Sequence, residues 1–181
     1  VTSYELYRKL NANDEWQLIK STDATGYLDE DVTNGTTYIY SLKTVGQDAS
    51  SSMNIAATVA RIEAPVITGV GATGDGVDIT WNKVNGATGY TIYRKARDEN
   101  EWQVAGSVGT GASSYKDTTL NGGYYTYAVV ATLNNTESAM TISNTEIYFL
   151  CAPKNVVLEN TKTGIKISWS GADNAASYQI K

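Results

Sequence analysis

Two matched pairs of aromatic side chains, two runs of carboxylates and one thiol are the residues of this chain whose types could do chemistry. Trp16 and Trp102 each open a strand-like stretch after a polar loop, and Tyr7 and Tyr93 face outward on the strand before it if Leu6 and Ile92 face inward. An indole face can stack the apolar C–H face of a sugar, so these four form a candidate ligand-binding platform. The competing expectation is that each Trp covers the flank of its own sheet and each Tyr pairs across strands. Asp29-Glu30-Asp31 and Asp98-Glu99 with Glu101 could offer oxygens to calcium, but their spacing matches no calcium loop, and solvated turns are expected. Two carboxylates could also serve a glycosidase, which needs a cleft holding them at fixed separation. A sandwich this small offers no obvious one. Cys151, flanked by Phe149-Leu150 and Ala152-Pro153, has only Lys154 as a nearby cation and reads as a half-buried packing residue rather than a reactive thiol. The chain contains 0 His, which removes Ser-His-Asp and Cys-His activation and most catalytic zinc sites. No catalytic residue, metal site or cofactor is expected.

The elements that must position these residues are strands. Thirteen Tyr against one Phe, with Val, Ile and Thr throughout, suit pleated half-buried surfaces. Of 181 residues, 41% are hydrophobic and 18% charged, enough apolar content for a core. A net charge of -5 argues against nucleic acid and against anionic membrane surfaces as partners. No apolar run approaches the roughly 20 residues of a membrane span, so no insertion is expected. One cysteine allows no disulfide within the chain.

The sequence repeats. Trp81 to Lys95 reads as a strand, a polar turn with Gly86 and Gly89, and a second strand; its second half recurs at Val1 to Lys9 and its whole at Trp169 to Lys181. Tyr4 aligns with Tyr90, Trp16 with Trp102, Asp29 with Asp117, Asn34-Gly35 with Asn121-Gly122, Tyr38 with Tyr125, Ala64-Pro65 with Ala152-Pro153, and Trp81 with Trp169, at offsets of 86 to 88 residues. That period is the size of a small domain. It divides the chain into 1–63, a partial copy lacking its first two strands; 64–151, a complete copy; and 152–181, a partial copy with the first three strands. The chain is thus expected to be a window on a longer array. In the complete copy the alternation predicts strands at Val66–Val70, Gly76–Trp81, Gly89–Lys95, Trp102–Val108, Ser113–Lys116, Gly123–Leu133 and Ser138–Phe149. Seven short strands with turn signals between them and no helical period predict an all-β antiparallel sandwich. Trp81, Trp169, Tyr90, Tyr38 and Tyr125 are its expected structural core, and Asp29 and Asp117 are expected to cap turns. Two sequons begin at Asn34 and Asn134.

On the strand-end Trp81 and Trp169, the Gly-Tyr-x-Ile-Tyr-Arg-Lys strand and the Tyr38 and Tyr125 positions after Asn-Gly turns, the chain resembles the fibronectin type III family. The likeness is to tandem, immunoglobulin-like copies in large secreted and surface proteins of Gram-positive bacteria. The resemblance implies a buried Tyr hydroxyl bonded back to nearby main chain at each tyrosine corner. It also implies an extracellular setting and a non-catalytic role as a stiff spacer or stalk, with neighbouring repeats as partners, since Arg61 to Pro65 and Phe149 to Pro153 leave almost no flexible linker. Two alternatives stand beside that role. One is an adhesion module that binds cell-wall or host glycans or protein through Trp16, Trp102, Tyr7 and Tyr93. The other is head-to-tail self-assembly, with strands of one chain completing the partial copy of the next.

Overall fold

The computed structural model describes residues 2–180, so Val1 and Lys181 of the repeated motif lie outside the described residues. The described residues form strands and turns only: β1 (Ser3–Lys9), β2 (Gln17–Thr22), β3 (Thr36–Val45), β4 (Asn54–Arg61), β5 (Ile67–Ala72), β6 (Val77–Trp81), β7 (Gly89–Ala96), β8 (Gln103–Gly109), β9 (Ser114–Asp117), β10 (Gly123–Leu133), β11 (Thr136–Glu137), β12 (Thr141–Ile142), β13 (Ile147–Phe149), β14 (Lys154–Thr161) and β15 (Gly164–Ser170). Every pairing with an established register is antiparallel. The expected all-β class is what the chain adopts. No helix among the described residues is long and apolar enough to cross a membrane.

The chain divides into two compact units. The first holds residues 1–63 with 84–88 and 131–138, and the second holds 64–83, 89–130 and 139–181. The first is built on a four-stranded sheet in the order β2-β1-β3-β4. Tyr38 is buried on it, whereas Leu42, on the same strand, stays 38% exposed. The residues that alternate inward on β1 and β3 find no second sheet opposite them among the described residues, so Tyr4, Leu6, Tyr27 and Leu42 line an open groove of about 320 Å³.

The second unit contains a closed sandwich. One layer is β5-β6-β9, and the other is the sheet carrying β10, β7 and β8 in that order. Val77, Ile79 and Trp81 of β6 point inward by strict alternation, as do Tyr90 and Ile92 of β7, and all five are buried. The rings of Trp81 and Tyr90 meet across the layers at 5.3 Å. The Trp81 Nε1–H has no acceptor among the described residues. That is a cost of about 1–3 kcal/mol, which the burial of so large a ring outweighs. On β10 the expected inward set Tyr125, Tyr127, Val129 and Ala131 is buried, but so are Ala128 and Val130, so this central strand is covered on both faces rather than one.

The expected single closing strand over Ser138–Phe149 is broken into β12 and β13, with β11 earlier still. Serine hydroxyls replace ladder bonds where it breaks. Ser138 Oγ accepts from Ala131 N–H at 2.9 Å, Ser143 Oγ accepts from Tyr127 N–H at 3.3 Å, and both serine N–H groups donate back to the same strand at 2.8 Å. The edge is thereby satisfied without one long exposed strand.

In residues 152–181, β14 and β15 pair as a hairpin, but Tyr178, Gln179 and Ile180 form no strand, contrary to the expected third one. The matched strand β7 is held by neighbours on both sides, and no such neighbours stand beside Tyr178 among the described residues. Trp169 is accordingly half-buried rather than part of a closed core. It packs edge-on against Tyr178 at 5.3 Å and lines an apolar groove of about 490 Å³.

Candidate functional site

One internal polar cluster occurs twice. At the end of β9, Asp117 is fully buried; Arg94 Nη1 from β7 reaches its Oδ2 at 2.7 Å, and the Tyr127 hydroxyl from β10 donates to the same oxygen at 3.0 Å. Asp117 Oδ1 accepts from the N–H and the hydroxyl of Thr119 at 3.0 and 2.9 Å, which is the expected turn cap. In the first unit, Asp29 takes the same place: Arg8 Nη1 lies 2.8 Å away and the Tyr40 hydroxyl donates at 2.8 Å. Both guanidinium groups also lie over tyrosine rings, Arg8 over Tyr38 at 5.1 Å and Arg94 over Tyr125 at 5.6 Å. Burial first, then the Asp29 carboxylate, pushes the Tyr40 phenol up to about 12; burial and Asp117 raise Tyr127 in the same direction. Every partner in these clusters is a fixed donor or acceptor; the Asp117 cluster reads as a lock between two layers and the Asp29 cluster as a lock of its loop onto one sheet. The tyrosine corners take two forms. Tyr125 donates to the Asn121 carbonyl at 3.1 Å, whereas Tyr38 accepts from the Thr33 N–H at 2.8 Å.

The four sequence-selected aromatics fall at the strand ends. Trp16 and Trp102 lie just outside β2 and β8 and are half-buried. Each has a lysine ammonium over its ring, Lys9 at 4.5 Å and Lys95 at 5.2 Å, from matched positions on β1 and β7. One indole face is therefore occupied in both copies. Tyr7 and Tyr93 are half-buried, and the Tyr7 hydroxyl donates to Glu5 Oε2 at 2.6 Å. Within the carboxylate runs, Asp29 and Asp31 both turn to Arg8, and Glu99 accepts from Gln103 at 3.0 Å. Among the described residues no group of three or more His, Cys, Asp or Glu is placed to hold a metal ion. Cys151 is half-buried, its thiol 3.7 Å from the Leu120 carbonyl.

The same pair of turns meets within each unit. In the first, Asn34 Nδ2 donates to the Asn85 carbonyl at 3.1 Å while its Oδ1 accepts from Glu63 N–H at 2.8 Å, so both ends of this sequon amide are engaged. Gly35 and Gly86, both at positive φ, approach so closely that a Cβ on Gly86 would lie 2.5 Å from the Gly35 Cα. In the second unit, Asn174 Nδ2 donates to the Gly122 carbonyl at 2.8 Å, and a Cβ on Gly122 would lie 2.4 Å from the Asp173 carbonyl oxygen.

One cluster escaped sequence reasoning. Tyr124 of β10 and Tyr148 of β13 are direct cross-strand partners, with ring centroids 4.7 Å apart and exposures of 41% and 39%. The Arg97 guanidinium lies over Tyr124 at 3.5 Å and is forked onto Glu146 through Nε, at 3.0 and 3.1 Å, and Nη2. The Tyr148 hydroxyl donates to the Asn174 carbonyl at 3.3 Å. An available signal was the large aromatic at an outward position, Tyr124, where the first copy has Thr37.

No known family profile matches the chain. No curated protein matches it either. Among solved structures it is similar to the crystal structure of the chicken CNTN1 FN1-FN3 domains, at 17% identity and a TM-score of 0.42, covering 81% of this chain and 56% of that one. It is also similar to a segment of two fibronectin type III domains from chicken tenascin, at 15% identity and a TM-score of 0.45, covering 81% of this chain and 83% of that one.

Proposed function

We propose that this chain is a non-catalytic stretch of fibronectin type III-like repeats, with boundaries at 63/64 and 151/152, that acts as a stiff spacer in a larger extracellular protein of a Gram-positive bacterium. Its immediate partners are the neighbouring repeats. The observation that carries the reading is the recurrence of one clasp. The Asn-Gly turn before the tyrosine strand meets the turn after the strand-end Trp, through Asn34 and Asn85 in the first unit and through Gly122 and Asn174 in the second. A bond reproduced at the repeat period by different atoms of the same two turns is a junction device rather than an accident of one loop. Short junctions with proline add to it. The interior polar clusters support the non-catalytic part, since their buried groups are committed to one another.

The test is small-angle scattering of the native chain and of an Asn34→Ala, Asn174→Ala double variant. The native profile is expected to fit a single conformation and the variant to need an ensemble of bent ones. A native chain that already requires the same ensemble as the variant would overturn the spacer reading.

A further inference from the structure

We propose that the Tyr124–Tyr148 groove in the second unit binds a neutral carbohydrate. This site is distinct from the Trp16 and Trp102 positions; it shares Gly122 and Asn174 with the clasp, but its ligand chemistry does not require the chain to be stiff. The argument begins with a comparison the chain makes with itself. Features that both copies share, such as the Arg-Asp-Tyr lock and the lysine over each Trp, are accounted for by the strand framework the copies have in common. Features of one copy alone are not required by the fold. In β3 paired with β4, Thr37 stands opposite Ala60; at the matched register in β10 paired with β13, Tyr124 stands opposite Tyr148. Asn11 takes the place of Arg97 at the 86-residue offset that matches Lys9 with Lys95 and Trp16 with Trp102. The same ladder thus forms with small side chains, and the middle copy has added two exposed rings and a guanidinium to it.

Those additions are organised. Arg97 covers Tyr124 and is itself held by Glu146, so ring and fork keep one geometry before any ligand arrives. Between them and Asn174 runs a groove of about 520 Å³, lined also by Asp98 and the Gly122 backbone. That volume falls within the range of small-ligand clefts. Its chemistry is mixed in the way a sugar requires. Exposed aromatic surface can take pyranose C–H groups, while a carboxylate, an amide and a guanidinium edge can exchange hydrogen bonds with vicinal hydroxyls. A neutral ligand is favoured because Glu146 pairs the Arg97 charge and Asp98 lies beside it, in a chain of net charge -5. A polyanion would meet repulsion there.

The test is an NMR titration of the whole chain with soluble neutral oligosaccharides, namely cellotetraose, maltotetraose, mannotetraose and chitotetraose. At least one is expected to shift the Tyr124 and Tyr148 ring signals saturably. Tyr124→Thr and Tyr148→Ala should each weaken that binding by about tenfold or more. Both install the residue that the first copy carries at that register, so the ladder is expected to persist, and unchanged signals from Phe149, buried on β13 opposite Gly123, would show that it does. Trp102→Ala should leave the binding unaltered. The proposal is overturned if no sugar moves the two rings, if the two tyrosine variants bind as well as the native chain, or if a proline-rich peptide saturates the groove where the sugars do not. None of these outcomes bears on the scattering test of the spacer.

Discussion

Asp117 ties three strands of the closed sandwich together. It has no exposed side-chain surface, and it joins β9 to β7 through Arg94 and to β10 through Tyr127. Removing the carboxylate strands a nearly buried guanidinium and a buried phenol. Asp117→Ala is therefore expected to destabilise the second unit by about 3–5 kcal/mol, read from urea unfolding, and Asp117→Asn by less because an acceptor oxygen remains. If Asp117→Ala proves nearly neutral, the cluster is no lock. The matched cluster in the first unit has a titration signature. Tyr40 stands at about 12, above its ordinary value of 10, so the fold favours the neutral phenol. Its contribution is complete below pH 10 and is lost as pH rises through about 12, with Tyr127 shifted in the same sense. Thermal stability should hold up to pH 10 and then fall, and Tyr40→Phe should make that fall shallower. A fall of identical steepness in Tyr40→Phe would remove Tyr40 from the account. The sequence placed Asp29 and Asp117 in turns through their local pattern. It could not place Arg8 or Arg94 on them, because partners 21 and 23 residues apart meet only once the strands and the segments between them have packed.

Elements show why one residue pattern has two outcomes. Tyr115-Lys116-Asp117 forms β9 because β6 supplies a ladder beside it, whereas Tyr27-Leu28-Asp29 forms no strand. Alternation and turn signals made β6, β7 and β10 legible, since each carries its own inward period. The fate of a short segment such as 27–29 depends on a neighbour that its own residues do not encode. The broken edge over β11–β13 was illegible for a related reason: Ser138 and Ser143 read as ordinary strand residues until their hydroxyls are seen to cap β10. The candidate groove was missed because alternation reports which face is buried and says nothing of what an outward ring meets across the strand. Packing between β8 and β9 carries its own prediction. The hydroxyl end of the Tyr115 ring packs against Gly106, and its hydroxyl donates to the Ala105 carbonyl at 2.7 Å. A Cβ at Gly106 would fall 2.3 Å from that hydroxyl oxygen and 2.4 Å from the ring carbon bearing it. Gly106→Ala should cost about 1–3 kcal/mol by displacing the ring, and Gly71→Ala, with open space at its Cβ, should cost far less. Equal melting temperatures for the two variants would mean that the Tyr115 contact does not hold these strands.

At the scale of the molecule, net charge and apolar surface act against each other. A chain of net charge -5 repels its copies at neutral pH, and that repulsion vanishes near the isoelectric point of about 4.7. Attraction has a defined source. On the β14–β15 hairpin, Leu158 and Ile167 are direct cross-strand partners, and with Val156 and Trp169 they line one apolar face. Leu158 is 67% exposed there. A contiguous patch drives association where scattered apolar residues do not. Light scattering should therefore rise as pH approaches 4.7, and Leu158→Lys should suppress it. The added lysine also brings the net charge from -5 to -4 and so shifts the pH at which repulsion vanishes, and the control for that is Leu28→Lys, at a side chain that is 75% exposed but lies outside any strand. The two variants change the net charge equally and differ only in where the lysine sits. Suppression by Leu158→Lys alone would assign association to the sheet face. Equal suppression by both would assign it to net charge, and the open hairpin face would then have no part in bringing copies together.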